Sequence, residues 1–298
     1  MTKGGQQLEP VLLVGDHMLA SGIATCLQQS GLVFTAERDI SELTWHQAGE
    51  PFALAILVTE EDLAVKKQQL RVLEDKLGGN TIIAINTETI GLDLLQENAA
   101  FPRRIIGLNW VEPADTTFFL EIITNQVTDE GIAGQISQTA EKWWNKDPYI
   151  IKGNAGVRMR LMGALIREAF YLVENGFATV EDIDRACRND AGYYLPFAGN
   201  LRYMDLMGTY AYGMVMKDLN PELSNCTRIP DFFRQMLSER KSGMSSGAGF
   251  YAYAAGEMEK WQELHRKFSV QVRELIEKYP FNYSTEEVAE VRNGFNFR

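Results

Sequence analysis

Short apolar runs alternating with helically spaced stretches dominate the first half of this 298-residue chain. The runs fall at 11–14, 33–36, 54–58, 81–85, 105–108 and 119–123, and Ile, Val and Leu dominate them. Such runs suit strands buried on both faces of a parallel sheet. Helical patterns at 21–30, 61–77 and 131–145 lie between them. Alternation of this kind predicts an α/β fold, a doubly wound Rossmann-like parallel sheet.

The first unit of the pattern is VLLVGDHMLASGIATCLQQSG, residues 11–31. It reads as strand, turn and helix. In the dinucleotide-binding turn G-x-G-x-x-G, the first glycine makes the turn and the second admits a pyrophosphate. The third lets helix and strand pack closely. Here those positions hold Gly15, His17 and Ala20, with Met18 opening the helix. The architecture is kept and the phosphate-contacting glycine is not. Asp16 places a negative charge beside the phosphate position, which is unfavourable unless His17 is protonated. Counting on to the end of the second strand, the position that normally accepts from the ribose hydroxyls is Arg38, between Glu37 and Asp39. An arginine suits a 2′-phosphate, and a one-residue gap restores an acid. The cofactor expectation is therefore NAD, with NADP as the alternative and binding that is weak or absent.

Near Lys146-Asp147-Pro148 the pattern changes. Leu161, Met162, Leu165, Ile166, Ala169, Phe170 and Val173 repeat at helical spacing, Asn175-Gly176 is a stop signal, and Thr179 suits an N-cap. The expected division is a dinucleotide-binding domain at 1–147 and an all-helical C-terminal domain at 148–298. Its tail is helical from about Glu257 through Lys278. Tyr193, Tyr194, Phe197, Tyr203 and Tyr210 read as core and dimer contact. A net charge of −11 argues against nucleic acid or an anionic membrane as partner. Cys26, Cys187 and Cys226 have no metal-ligand spacing and read as reduced thiols. The amino-terminal residues have no apolar signal core, and no apolar run is long enough to span a bilayer. A cytoplasmic protein is expected.

Three stretches resemble the short-chain L-3-hydroxyacyl-CoA dehydrogenases. They are the 11–31 turn, the segment GLNWVEPADTTFFLEII at 107–123, and the region 151–253. That region contains EAFYLVENGFATVEDIDRA, DAGYYLPFAGNLRYMDLMG and SGMSSGAGFYAY. The resemblance implies an oxidoreductase of fatty acid metabolism. Its first domain binds NAD(P), and its helical domain forms a homodimer and closes over an acyl-CoA-like substrate. A hydride moves between the 3-hydroxy carbon and nicotinamide, while a histidine oriented by a glutamate takes the hydroxyl proton.

By resemblance the glutamate is Glu121, and the histidine position is Asn109. An amide can hydrogen-bond a carbonyl but cannot take up a proton, and loss of a positioned base costs on the order of 10²–10⁴ in rate. Glu61 and Lys66 match the family pair on the ribose and nicotinamide side. Asn86-Thr87 matches the pair after the fourth strand, but Glu88 stands where the family has serine. Met159 replaces a family asparagine. Only 41–52 separates the second strand from the third, too short for the family's helical arm that contacts CoA. Glu88 and Glu112 are the candidate substitute bases. Structural roles are open for the same residues: Asn109 satisfying a strand-end backbone group, Glu121 holding a structural hydrogen bond, Met159 packing in a core, and Glu61 and Lys66 at a solvated helix start. Two function classes follow, a divergent 3-hydroxyacyl-CoA dehydrogenase-like enzyme and a non-catalytic homologue that binds a ligand or scaffolds as a homodimer.

Overall fold

The computed structural model describes residues 8–42 and 52–282. It divides into two compact units, Met1–Leu161 and Met162–Arg298. The segment expected to lack the helical arm lies almost wholly outside the described residues, as does His46.

The first unit is built on seven strands in the order β2-β1-β3-β4-β5-β6-β7. They are β1 (Val11–Val14), β2 (Phe34–Glu37), β3 (Leu54–Leu57), β4 (Ile82–Ile85), β5 (Ile105–Asn109), β6 (Phe119–Thr124) and β7 (Asp147–Lys152). All neighbours run parallel except β5 and β6, which are antiparallel. The six predicted runs are the first six strands, shifted by at most a residue or two at the ends.

Alternate residues of each strand feed two separate cores. Val11, Leu13, Leu54, Ile56 and Ala84 pack with α1 (Met18–Gln29) and α4 (Ile132–Trp143) through Ile23, Leu27, Ile136 and Ala140. Leu12, Val14, Ala55, Leu57 and Ile83 pack with α2 (Leu63–Leu77) and α3 (Leu92–Gln96) through Leu70, Leu73, Leu92 and Leu95. A side-chain period of two on strands covered on both faces explains why the runs are continuously apolar. The chain reverses its winding direction at β1, between β2 and β3, and ligands of open α/β sheets bind outside the strand ends at such a point.

The expected domain boundary at 147 is corrected by β7, which runs through it. Pro148 reads as a break in sequence but lies in β7, which among the described residues pairs with β6 alone. A proline is tolerated on such an edge, where one side of the strand needs no ladder donor. The compact division instead falls after Leu161, inside α5 (Arg158–Glu174).

The second unit is helical: the remainder of α5, α6 (Val180–Ala186), α7 (Gly192–Met207), α8 (Thr209–Leu219), α9 (Asp231–Ser238) and α10 (Glu257–Lys278). The expected Thr179 cap is present. Its Oγ1 accepts from the Asp182 amide at 3.1 Å, and Asp182 accepts in return from the Thr179 amide, a capping box. Phe170 packs against Phe232, Phe233 and Phe250. Tyr194 stacks on Tyr203 at 4.1 Å. The aromatic stripe is not core throughout, since Tyr193 and Tyr210 are 80% and 82% exposed. Pro196 and the left-handed Gly199 interrupt α7 and turn the stripe out of one helical face. Among the described residues no helix is long and apolar enough to cross a membrane.

Candidate active site

At the carboxyl ends of β1, β3, β4 and β5 the chain gathers its polar groups. Gly15 ends β1, and a Cβ there would lie 2.7 Å from the Val58 carbonyl oxygen. Only glycine fits that approach. The helix α1 then starts at Met18 behind His17, with no side-chain cap and no acid in its first turn. Its positive end is thus available to an anion. His17 and Asp16 are both exposed, 3.7 Å apart. Glu37 is the last residue of β2 and pairs in register with Val14. Arg38 lies one residue further on and is exposed. The acid at the strand end is therefore Glu37, as the one-residue gap requires. A glycine cradle, an uncapped helix start and a strand-end carboxylate together fit a dinucleotide.

Beyond β3 the side chains interlock. Lys66 is fully buried on α2. Its ammonium donates to the Asn86 carbonyl at 2.7 Å and pairs with Glu61 at 3.2 Å. Burial pulls its pKa below the ordinary lysine range, against the pull of Glu61. The other oxygen of Glu61 accepts from the amides of Glu88 (3.1 Å), Thr89 (2.6 Å) and Ile90 (2.8 Å). Burial raises the Glu61 pKa, but the Thr89 and Ile90 amides and Lys66 outweigh it and hold it below the usual value. Glu61 and Lys66 are thus no solvated helix start. They clamp the β4–α3 loop.

Two asparagines act as one device. The Asn86 amide oxygen accepts from the Thr59 N–H at 2.9 Å and its nitrogen donates to the Thr59 carbonyl at 2.9 Å. One strand over, Asn109 accepts from the Thr87 N–H at 2.7 Å and donates to the Thr87 carbonyl at 2.8 Å. Each side-chain amide imitates a strand residue and prolongs the ladder past the strand ends. The second hydrogen of the Asn109 nitrogen goes to Glu121 at 2.9 Å. Asn109 is buried with both N–H groups and its oxygen bonded, the strand-end role left open by the sequence.

Glu121 lies opposite Asn109 across β5 and β6 and is fully buried. Besides Asn109 it accepts from the amides of Val157 (2.7 Å) and Arg158 (3.2 Å) and from the Tyr149 hydroxyl (3.2 Å). It therefore holds the start of α5 against the sheet. Gly156 permits this, since a Cβ there would sit 2.0 Å from the carboxylate. Burial, and then Glu121, push the Tyr149 pKa up.

Glu88 and Arg158 complete the cluster with an ion pair at 2.9 Å, each side chain about a quarter exposed. Burial raises the Glu88 pKa above the ordinary carboxylate value of 4.5. Arg158 opposes the shift, and Glu61 and Glu121 add to it. Among the candidate substitute bases, Glu88 joins the cluster. Glu112 instead faces α1, its Oε2 3.6 Å from where a Gly22 Cβ would be. Met159 is half-buried and receives an Arg158 N–H on sulfur at 3.3 Å rather than packing in a core. Arg158 and Tyr149 were not singled out by sequence. A cation at the first position of a helix, where an acid is favoured by the dipole, was the available signal for Arg158.

Comparison with known proteins divides the chain a few residues earlier, just before α5. Residues 27–154 match the family model for the 3-hydroxyacyl-CoA dehydrogenase NAD binding domain, and residues 157–253 match that for its C-terminal domain. A 5-formyl-3-hydroxy-2-methylpyridine 4-carboxylate 5-dehydrogenase of Mesorhizobium japonicum is 28% identical over 233 residues, covering 77% of this chain and 75% of that one. A fatty acid oxidation complex subunit alpha of a Shewanella species is 29% identical over 198 residues, 66% of this chain. The match spans only 27% of that subunit's length. Among solved structures, a 5-formyl-3-hydroxy-2-methylpyridine 4-carboxylic acid 5-dehydrogenase, described as an NAD+ dependent dismutase, superposes with a TM-score of 0.82 at 24% identity. It covers 90% of this chain and 98% of its own. A (S)-3-hydroxybutyryl-CoA dehydrogenase from Ralstonia eutropha superposes at 0.61 with 21% identity, over 82% and 98%.

Proposed function

Because this chain belongs to the 3-hydroxyacyl-CoA dehydrogenase family, we propose that it is an NAD-dependent oxidoreductase whose proton-transfer group is Glu88 rather than a histidine. One observation carries activity over a purely binding or scaffolding role. The Glu88 carboxyl, about a quarter exposed and pushed upward by burial, stands at the strand ends where both N–H groups of Asn109 are already spent. A general base works best with a pKa near the working pH, and burial moves Glu88 in that direction.

Gly15 and the start of α1 would hold the pyrophosphate, and Glu37 would accept from the ribose hydroxyls. An acid at that position repels a 2′-phosphate, which favours NAD over NADP. Bound NAD supplies the hydride acceptor, or in reduced form the donor. In oxidation Glu88 takes the substrate hydroxyl proton, and in reduction it returns it. Asn109 and Glu121 act as positioning residues, since their polar atoms already hold β5, β6 and α5 together.

The substrate class proposed is a hydroxyl or carbonyl compound of the 3-hydroxyacyl type. A second reading, a small carboxylated substrate without CoA, is favoured by the brevity of the 41–52 interval. It is also favoured by the Mesorhizobium relative, which matches along most of its length. We also propose a homodimer, supported by the exposed Leu165, Leu201, Leu206 and Tyr210 of the second unit. We also propose a cytoplasmic setting, in keeping with three widely separated cysteines whose spacing suits neither a metal nor a disulfide framework.

Titration with NADH and NADPH, followed by NADH oxidation with acetoacetyl-CoA and with acetoacetate, tests the reading. NADH is expected to bind more tightly than NADPH, with turnover on one of the two ketones. No NADH binding at millimolar concentration overturns it. Sedimentation of a monomer at micromolar concentration overturns the dimer.

A further inference from the structure

The cluster holds two cations with different availability. Lys66 is fully buried and committed to Glu61 and Asn86. Arg158 keeps about a quarter of its side chain in solvent. A guanidinium carries five N–H donors in a planar fork. Arg158 spends NH1 on Glu88 and on the Met159 sulfur, and among the described residues no protein acceptor bonds its Nε or NH2. Its backbone N–H is held by Glu121, and the Phe119 ring lies 5.9 Å from the guanidinium carbon. The head group is thus fixed at the base of α5 with half its fork unspent, beside Glu88.

We infer that Arg158 is the specificity-determining residue of this site, receiving a carboxylate of the substrate on its free Nε and NH2 edge. The inference deepens the proposed function and rests on its placement of the site. The charge balance supports it. Glu61, Glu88 and Glu121 already gather here against Lys66 and Arg158. An arriving anion is accommodated if one acid takes a proton, and Glu88 is the acid whose neutral form burial already favours. In the reducing direction the substrate carboxylate draws on the Arg158 charge that Glu88 shares, and Glu88 is left protonated beside the carbonyl oxygen to which it returns that proton. A planar bidentate pair also fixes orientation, which a single ammonium does not.

The test uses the full chain and two probes of one shape, benzoate and benzamide, titrated calorimetrically in the presence of NADH. Hydrogen bonds to charged groups distinguish such a pair by about 10- to 100-fold. Benzoate is expected to bind at least about tenfold more tightly than benzamide. Repeating the titration in buffers of different ionisation enthalpy should show proton uptake with benzoate alone. Arg158→Met should abolish the preference, and Arg158→Lys should keep part of it, because charge remains and the fork is lost. Glu88→Gln should keep the preference and remove the proton uptake. Equal binding of the two probes, no benzoate binding at tens of millimolar, or a preference that survives in Arg158→Met overturns the assignment. NADH binding is read in the same cell. Its loss counts against the proposed function, whereas intact NADH binding without benzoate discrimination counts against Arg158 alone.

Discussion

Replacing Glu121 with glutamine exchanges one oxygen for an NH2 group and leaves the shape unchanged, yet all four partners of that carboxylate are donors. The new NH2 must therefore face a donor in either orientation. If it faces Asn109, two donors meet across 2.9 Å. Asn109 cannot turn over to relieve this without breaking both bonds to Thr87. If it faces α5, it meets the amides of Val157 and Arg158. One buried donor left unpaired costs about 1–3 kcal/mol, and converting the remaining bonds from a charged to a neutral acceptor costs about 1 kcal/mol each. The expected loss is about 3 kcal/mol. For a unit of this size that lowers the melting temperature by about 6–12 °C. Urea unfolding followed by tryptophan fluorescence is the assay, because Trp110, Trp143 and Trp144 all lie in the first unit. A loss below about 0.5 kcal/mol, the range of an ordinary surface change, would refute the view that this carboxylate ties β6 to the start of α5.

Gly15→Ala is expected to cost about 1–3 kcal/mol through overpacking against the Val58 carbonyl and to abolish NADH binding, read by thermal melting and titration. Asn109→His should lose both Thr87 bonds, since an imidazole cannot present donor and acceptor side by side. A drop of about 1–3 kcal/mol is expected in the same urea assay, with no gain in turnover. For Glu88 the folded pKa lies above 4.5. The group therefore favours the folded state below pH 4.5 and loses that contribution as pH rises through the raised value. Oxidation should accelerate across the same window as the carboxylate forms, and Glu88→Gln should remove that limb from the pH–rate profile.

The strands were legible because burial on both faces leaves an unbroken apolar run, and six of them were read within a residue or two. The seventh was hidden by Pro148, whose meaning depends on whether its strand lies at an edge, and a sequence does not state that. The short α3 was missed because five residues show no periodicity. Within the site, the spacing of Glu61 and Lys66 was legible, but their target was not. Glu61 grips amides 27 to 29 residues away, a contact that exists only after β3 and β4 pair. The same holds for Glu121 and the start of α5. Resemblance drew attention to Met159, while the charge that matters stands on its neighbour Arg158.

The paired amides of Asn86 and Asn109 have a consequence for how this pocket tolerates changing conditions. Neither side chain ionises anywhere in the range a cell experiences, so the stitches between β3, β4 and β5 are indifferent to acidity. Protons can come and go at Glu88 above a floor whose shape they do not disturb. A histidine in the same slot would make the floor itself titrate. With no titratable group in that slot, the floor is a fixed bench beside which a neighbouring acid can do the switching.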